Sequence, residues 1–238
     1  MTIILDGTNG ITSPGETLTD TQILAAGTTT IAPLKFQAGT NLTTATAGVM
    51  GYDGKVFYAT PQGTQRGVLP APQFYRLDSG LAGANATGAQ NMLGVGVTLS
   101  ASTVYEFESV MFMSKTAGTT SHTIAFGFGG TATINNLIYQ GFNSAGIAAN
   151  TPLLGQTTSY FVANATTAIV LTSAQTAATN GFYITIRGTI SVNAGGTFIP
   201  QYTLSAAPGG AYTTQAGSYF LIYPIGASGA NTNVGTWA

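Results

Sequence analysis

Between Phe182 and Asn193 (FYITIRGTISVN) apolar and polar residues alternate. Phe182, Ile184, Ile186, Ile190 and Val192 share one parity, and Tyr183, Thr185, Arg187, Thr189, Ser191 and Asn193 share the other. A period of two over this length predicts a strand in a sheet with one buried face. Gly188 interrupts the apolar parity and predicts a bulge or bend. Val104–Met113 (VYEFESVMFM) repeats the pattern, with Tyr105, Phe107, Met111 and Met113 on one side. Shorter runs predict further strands at Thr123–Phe128, Ile134–Phe142, Ser159–Val162, Ala168–Leu171, Phe198–Leu204 and Ser218–Tyr223. Gly-, Ser- and Asn-rich turns such as Ala194–Thr197 and Pro208–Ala211 separate them. About eight strands at this spacing predict an all-β head over residues 73–238, an antiparallel β-sandwich of jelly-roll type. The one helical candidate, Asn85–Leu93, is disfavoured by the Gly content there, Gly88 within it and Gly94 just after it. No repeat of fixed period is present.

Residues 1–72 are patterned differently. Short apolar runs (Ile3–Leu5, Ile23–Leu24, Ile31–Phe36, Val49–Tyr58) are punctuated by Gly, Thr and the prolines at 14, 33, 61, 70 and 72. Each proline restricts its predecessor to extended backbone and removes an amide donor. The expectation is an extended N-terminal attachment arm carrying one hairpin at 49–58. Its apolar residues set it apart from a plain linker, so it needs a surface to lie on.

Composition narrows the possibilities. Charged residues are only 5% of the 238, against the roughly 25% usual for soluble domains. Net charge is −1, which provides no field to attract nucleic acid or anionic lipid. No apolar run approaches the ~18 residues of a membrane helix. Met1–Gly10 lacks the basic start of a secretory signal, so a soluble chain without membrane insertion is expected. With 44% hydrophobic and 10% aromatic residues the chain can bury a core. Seven of its charges lie before residue 67, and beyond Thr116 the only one is Arg187. Such a surface of hydroxyls, amides and backbone suits a rigid β surface partly covered by identical neighbours.

Candidate chemistry is sparse. His122 is the only histidine, and no nucleophile or orienting acid can be paired with it from the sequence. It reads as a structural or surface residue opening a strand. With no cysteine, a metal site would need several chains around a shared three-fold axis. No cofactor or metal is expected. Glu106 and Glu108 stand two apart on one strand, their side chains about 6–7 Å apart. Glycoside hydrolysis uses two carboxylates, but they flank the substrate from different elements, so a solvent-facing polar edge is the simpler reading. No GxSxG, P-loop or dinucleotide fingerprint follows a predicted strand. The sequons at Asn41, Asn85 and Asn164 are expected by chance in a Thr-rich chain. Nine tyrosines in the β region offer stacking surfaces for sugars, and are also ordinary strand residues.

The stretch Val49–Tyr58 (VMGYDGKVFY) is the strongest hairpin signal. Asp53-Gly54 predicts a two-residue type I′ turn pairing Tyr52 with Lys55 and Met50 with Phe57. Met50, Tyr52, Lys55 and Phe57 then share one face, and Tyr58 pairs with Val49. Lys55 is expected to solvate an edge beside Tyr52, and Arg66, beyond Pro61, to contact a neighbour. An isolated hairpin is marginal, so its apolar face requires a partner, most simply other copies of itself.

The longer segment Ala32–Gly67 (APLKFQAGTNLTTATAGVMGYDGKVFYATPQGTQRG) resembles a segment common in tailed-bacteriophage appendage proteins, of pattern PLxFxxGTxLTTxxAGxxEYDGxxFYxT…R. Asp6–Glu16 (DGTNGITSPGE) is similar to the start of phage fibre and virion-surface proteins. The pattern's Glu is replaced here by Gly51. The resemblance implies a non-enzymatic virion structural protein, usually a homotrimer, attached by its N-terminal arm. Small size then favours a capsid decoration (cement) or short head-fibre protein bound to the major capsid protein. The alternative is a tail-fibre or tail-tip protein on a tail or baseplate partner, recognising a host surface glycan. A glycan depolymerase using Glu106 and Glu108 is the third and least supported class. The hairpin residues Met50, Tyr52, Asp53, Gly54, Phe57, Tyr58 and Arg66 are the expected attachment and oligomer contacts.

Overall fold

The computed structural model describes residues 26–145, 158–163, 168–229 and 231–237. The chain divides into two compact units, Met1–Gln37 and Ala38–Ala238. In the first, the described residues 26–37 form no strand. Thr28 holds a local turn there, its hydroxyl accepting from the Ile31 amide at 3.1 Å. The apolar runs Ile3–Leu5 and Ile23–Leu24 lie outside the described residues.

The second unit begins with a small antiparallel sheet of β1 (Met50–Tyr52), β2 (Phe57–Ala59) and β3 (Gly67–Leu69), in that order. Next come β4 (Gln73–Arg76), β5 (Leu81–Ala82), β6 (Gln90–Asn91), β7 (Val97–Leu99), β8 (Thr103–Lys115), β9 (Ile124–Gly129) and β10 (Thr133–Ala145). The chain is completed by β11 (Thr158–Ala163), β12 (Ile169–Val170), β13 (Asn180–Ala194), β14 (Gly196–Leu204), β15 (Thr213–Thr214) and β16 (Tyr219–Ala227). Among the described residues there is no helix.

Strands β7 to β14 alternate between two facing sheets. One runs β8-β13-β10-β11, the other β7-β14-β9-β12. All neighbours are antiparallel, and only β10 and β11 are consecutive neighbours within a sheet. This is the Greek-key connectivity of a jelly roll. Four strands widen the first sheet: β16 and β15 pair with β8, β4 with β16, and β5 with β15. The alternation read from sequence is realised in full. Tyr105, Phe107, Met111 and Met113 of β8 and Phe182, Ile184, Ile186, Ile190 and Val192 of β13 are all buried.

The core is aromatic where the sheets meet. Phe128 and Phe198 of the smaller sheet stack at 4.2 Å between ring centroids, and Phe107 of the larger sheet meets Phe128 edge-on at 5.3 Å. Such pairs add to the area-based gain of burial.

Two expectations are corrected, at Gly188 and in the hairpin register. Asn85–Leu93 is, as its composition implies, no helix: it is a loop with the short strand β6, its backbone tied down by the Gln90 side chain. Gln90 Oε1 accepts from the Ala84 amide (2.6 Å), while Nε2 donates to the Ala84 and Ala86 carbonyls (3.1 Å each). Gly188 is no bulge, since the β13–β8 and β13–β10 registers run through it unbroken. A Cβ there would stand 2.3 Å from the Ile138 carbonyl oxygen and 2.8 Å from Phe107 Cζ, so the glycine makes room for the core. The hairpin register also differs. Tyr52 pairs with Phe57 and Met50 with Ala59, leaving a four-residue loop Asp53–Val56. The Asp53 carboxylate causes this, accepting from the amides of Lys55 and Val56 at 2.8 Å each, a side-chain-closed turn in place of the two-residue one.

Candidate functional site

In antiparallel ladders directly paired residues share a face, so the registers place side chains on the outer side of the larger sheet. One row runs Gln140–Arg187–Glu108–Leu221–Phe74 across β10, β13, β8, β16 and β4. The row beside it runs Phe142–Thr185–Val110–Tyr219–Arg76, and the row on the other side Ile138–Thr189–Glu106–Tyr223. Tyr183 and Phe112 pair at the far end.

This face gathers nearly all the accessible charge of the jelly roll. Residues 73–238 contain six ionisable Asp, Glu, Lys and Arg side chains. Lys115 is buried, and Arg76, Glu106, Glu108 and Arg187 lie on the outer face. Asp78, the sixth, is paired to Arg76. In a chain so poor in charge, the concentration is the main electrostatic feature of the fold. Sequence reasoning missed it because the four residues are spread over more than a hundred positions.

The groups are tied together. Arg187 Nη2 lies 2.7 Å from Glu108 Oε2, and the Tyr219 hydroxyl donates to Glu108 Oε1 at 2.8 Å. That bond to the carboxylate, with burial second, raises the Tyr219 hydroxyl pKa above its ordinary value. Burial, followed by a hydrogen bond to Glu106, pushes Tyr223 up to about 12. Around this polar centre stand partly exposed apolar groups: Phe74 (56% exposed), Tyr183 (48%), Phe142 (39%) and Ile138 (38%). Phe74 leans on Tyr219 at 5.3 Å between centroids. Glu106 and Glu108 therefore stand side by side on one strand, both engaged by tyrosines, and do not face each other across a cleft.

The hairpin residues form a second constellation. Met50, Tyr52, Phe57 and Leu69 occupy one side of the small sheet, with Tyr52 and Phe57 stacked at 4.6 Å. Met50 and Leu69 are exposed. On the opposite side Tyr58 is buried and donates to Asp53 Oδ2 at 3.0 Å. Burial and this bond push the Tyr58 hydroxyl up to about 12. Burial works against the Asp53 carboxylate, but donors from Val56, Lys55 and Tyr58 outweigh it and hold its pKa below the ordinary value. Gly54 adopts φ +91°, a conformation that favours glycine in this loop. Lys55 leaves the Tyr52 face: its Nζ donates to the Ala101 carbonyl at 3.0 Å, next to β8. Arg66 hydrogen-bonds the Leu42 carbonyl and lines a polar cleft of about 380 Å³ with Tyr58, Asn41 and Asn233.

His122 is buried, its Nδ1 2.7 Å from the Thr120 carbonyl and its Nε2 2.8 Å from the Tyr212 hydroxyl. Nδ1 facing a carbonyl acts as a donor, and the ring is held between the Thr120 carbonyl and the Tyr212 hydroxyl, a structural arrangement. Buried Lys115, which no sequence pattern marked, donates to the Gly118 (2.7 Å) and Ala177 (2.6 Å) carbonyls and, at 3.2 Å, to those of Ala117 and Ala178. Among the described residues no group of three or more His, Asp or Glu is placed to hold a metal ion. Nor is any helix long and apolar enough to cross a membrane. Compared with known proteins, the chain matches no family model, no curated protein and no solved structure.

Proposed function

We propose that this chain is a non-enzymatic structural protein of a tailed-phage particle, a homotrimeric capsid decoration or short head-fibre protein. The reading rests on one observation. Along the segment that resembles phage appendage proteins, apolar side chains stay at the surface: Leu34 (56% exposed), Leu42 (51%) and Met50 (48%). A chain with 5% charge that leaves such residues uncovered has contact surface to offer. The mechanism is mechanical. The arm spans neighbouring shell subunits, each Leu or Ile buried there contributing roughly 1.5–3 kcal/mol, and the jelly roll projects outward. Cryo-EM of the particle tests this: copies at shell-symmetry positions support it, and density confined to the tail overturns it. Light scattering tests the trimer, which a folded monomer at micromolar concentration would contradict.

A second reading, a tail-fibre or tail-tip receptor-binding protein, is favoured by a separate observation. The jelly roll concentrates its accessible charge and several exposed rings on one sheet face, an arrangement that a purely mechanical decoration does not require.

A further inference from the structure

We infer that the outer face of the β10-β13-β8-β16-β4 sheet is a saccharide-binding platform for an uncharged oligosaccharide. The inference rests on the receptor-binding reading and gives it a location and a ligand class. Its geometry separates it from a protein–protein contact. Protein interfaces deplete charge at the centre and place polar groups at the rim. Here the order is reversed. Arg187, Glu108 and Glu106 occupy the two central strands, while Phe142 and Ile138 flank them on β10, and Tyr219, Tyr223 and Phe74 on β16 and β4.

That order suits a sugar. A pyranose presents hydroxyls around its edge and C–H groups on its faces. The edge needs fixed, directional donors and acceptors, and the faces need flat apolar surface. The Arg187–Glu108 pair and the Tyr219 hydroxyl are already held by 2.7 and 2.8 Å contacts, so few rotamers remain to be frozen on binding. Arg187 still exposes 71% of its side chain, and Glu108 31%, leaving donors and acceptors open to solvent. Tyr183 and Phe74 expose about half of their ring side chains on different strands of the face. Three strand spacings of ~4.8 Å separate β10 from β16, which is enough for more than one sugar unit.

Charge sets the class. The face carries two arginines, each paired with a carboxylate, and Glu106 adds a negative group that no arginine neutralises. An acidic sugar would meet this net negative surface, so neutral hexose and N-acetylhexosamine chains are the fitting ligands.

The full-length protein is applied to a printed array holding neutral and acidic bacterial oligosaccharides, alongside Arg187→Ala and Tyr183→Ala variants. Melting temperature and light scattering are measured for all three. The expected result is binding to at least one neutral glycan, weakened ten-fold or more in each variant, with folding and oligomeric state unchanged. Preference for acidic glycans overturns the ligand class. Neutral-glycan binding that both variants retain overturns the site but leaves the receptor-binding reading standing. Dissociation of the oligomer in the variants shows the face to be covered by a second copy and also overturns it. If no glycan binds, the proposal fails, and retained or lost binding to host cells then decides whether the receptor-binding reading fails with it.

Discussion

Arg187 and Glu108 sit directly opposite each other on the two central strands of the larger sheet, joined by a 2.7 Å ion pair on its solvent side. Both are partly exposed, so water and salt screen the pair and its worth to folding is about 0–1 kcal/mol. Replacing Arg187 with Ala is therefore expected to shift the urea unfolding free energy by less than about 1 kcal/mol. A loss above ~2 kcal/mol would mean that the pair holds the sheet together and is not an accessory to it.

Lys115 is the opposite case. Its ammonium is buried and bonded to four backbone carbonyls, two from the loop after β8 and two from the segment before β13. Met fills a similar volume but donates nothing, so the part-buried carbonyls that share the three ammonium protons lose them. A buried acceptor without a partner costs about 1–3 kcal/mol. Lys115→Met is expected to destabilise the protein by about 1–3 kcal/mol in chemical denaturation, more than Arg187→Ala. Equal effects of the two substitutions would refute this account of the loops.

The contrast between these residues shows what the sequence discloses. Strands β8 and β13 are legible because each has one buried and one open side, and burial imposes period two directly on residue choice. Lys115 continues that buried parity but is charged, and only the folded loops supply the carbonyls that make its burial tolerable. Gly188 breaks the period for a reason that lies on other strands, where Phe107 and Tyr139 fill the space a side chain would take. The hairpin is legible as a hairpin, but its register is not, since the Asp53 carboxylate competes with the backbone to close the turn. The charged face depends on which distant strands become neighbours, and alternation within one strand carries no such information.

Buried tyrosines fix an alkaline limit. Burial raises Tyr139 and Tyr202 from the ordinary value near 10 to about 12, and raises Tyr212 further. A folded-state pKa above the unfolded one means that the folded chain binds more protons in this range. The stability linked to these groups is fully present below pH ~10 and is lost as pH rises through ~12, by roughly 2–3 kcal/mol per group at the upper end. Near-ultraviolet absorbance titration is expected to show a late class of tyrosinates appearing together with loss of β-sheet circular dichroism. Titration of all tyrosines near pH 10 in a folded protein would contradict it.

Asp53 governs the small sheet through three acceptor contacts: the amides of Lys55 and Val56 and the hydroxyl of Tyr58. Asp53→Ala removes them all and leaves the buried side of that sheet with an unpaired phenol. The expected cost is about 1–3 kcal/mol, and it falls locally, because the jelly-roll core makes no use of these bonds. Hydrogen exchange should accelerate at Lys55, Val56 and the β1–β2 amides, while β8 and β13 amides keep their protection. The pH dependence follows from the same contacts. The folded-state pKa of Asp53 lies below its ordinary 3.8, so its contribution is present above that value and is lost as pH falls through the lowered one. Wild type and variant should therefore converge in hairpin exchange under acid and diverge near neutrality. Uniform acceleration across β8 and β13 would show that the hairpin and the jelly roll unfold as one unit.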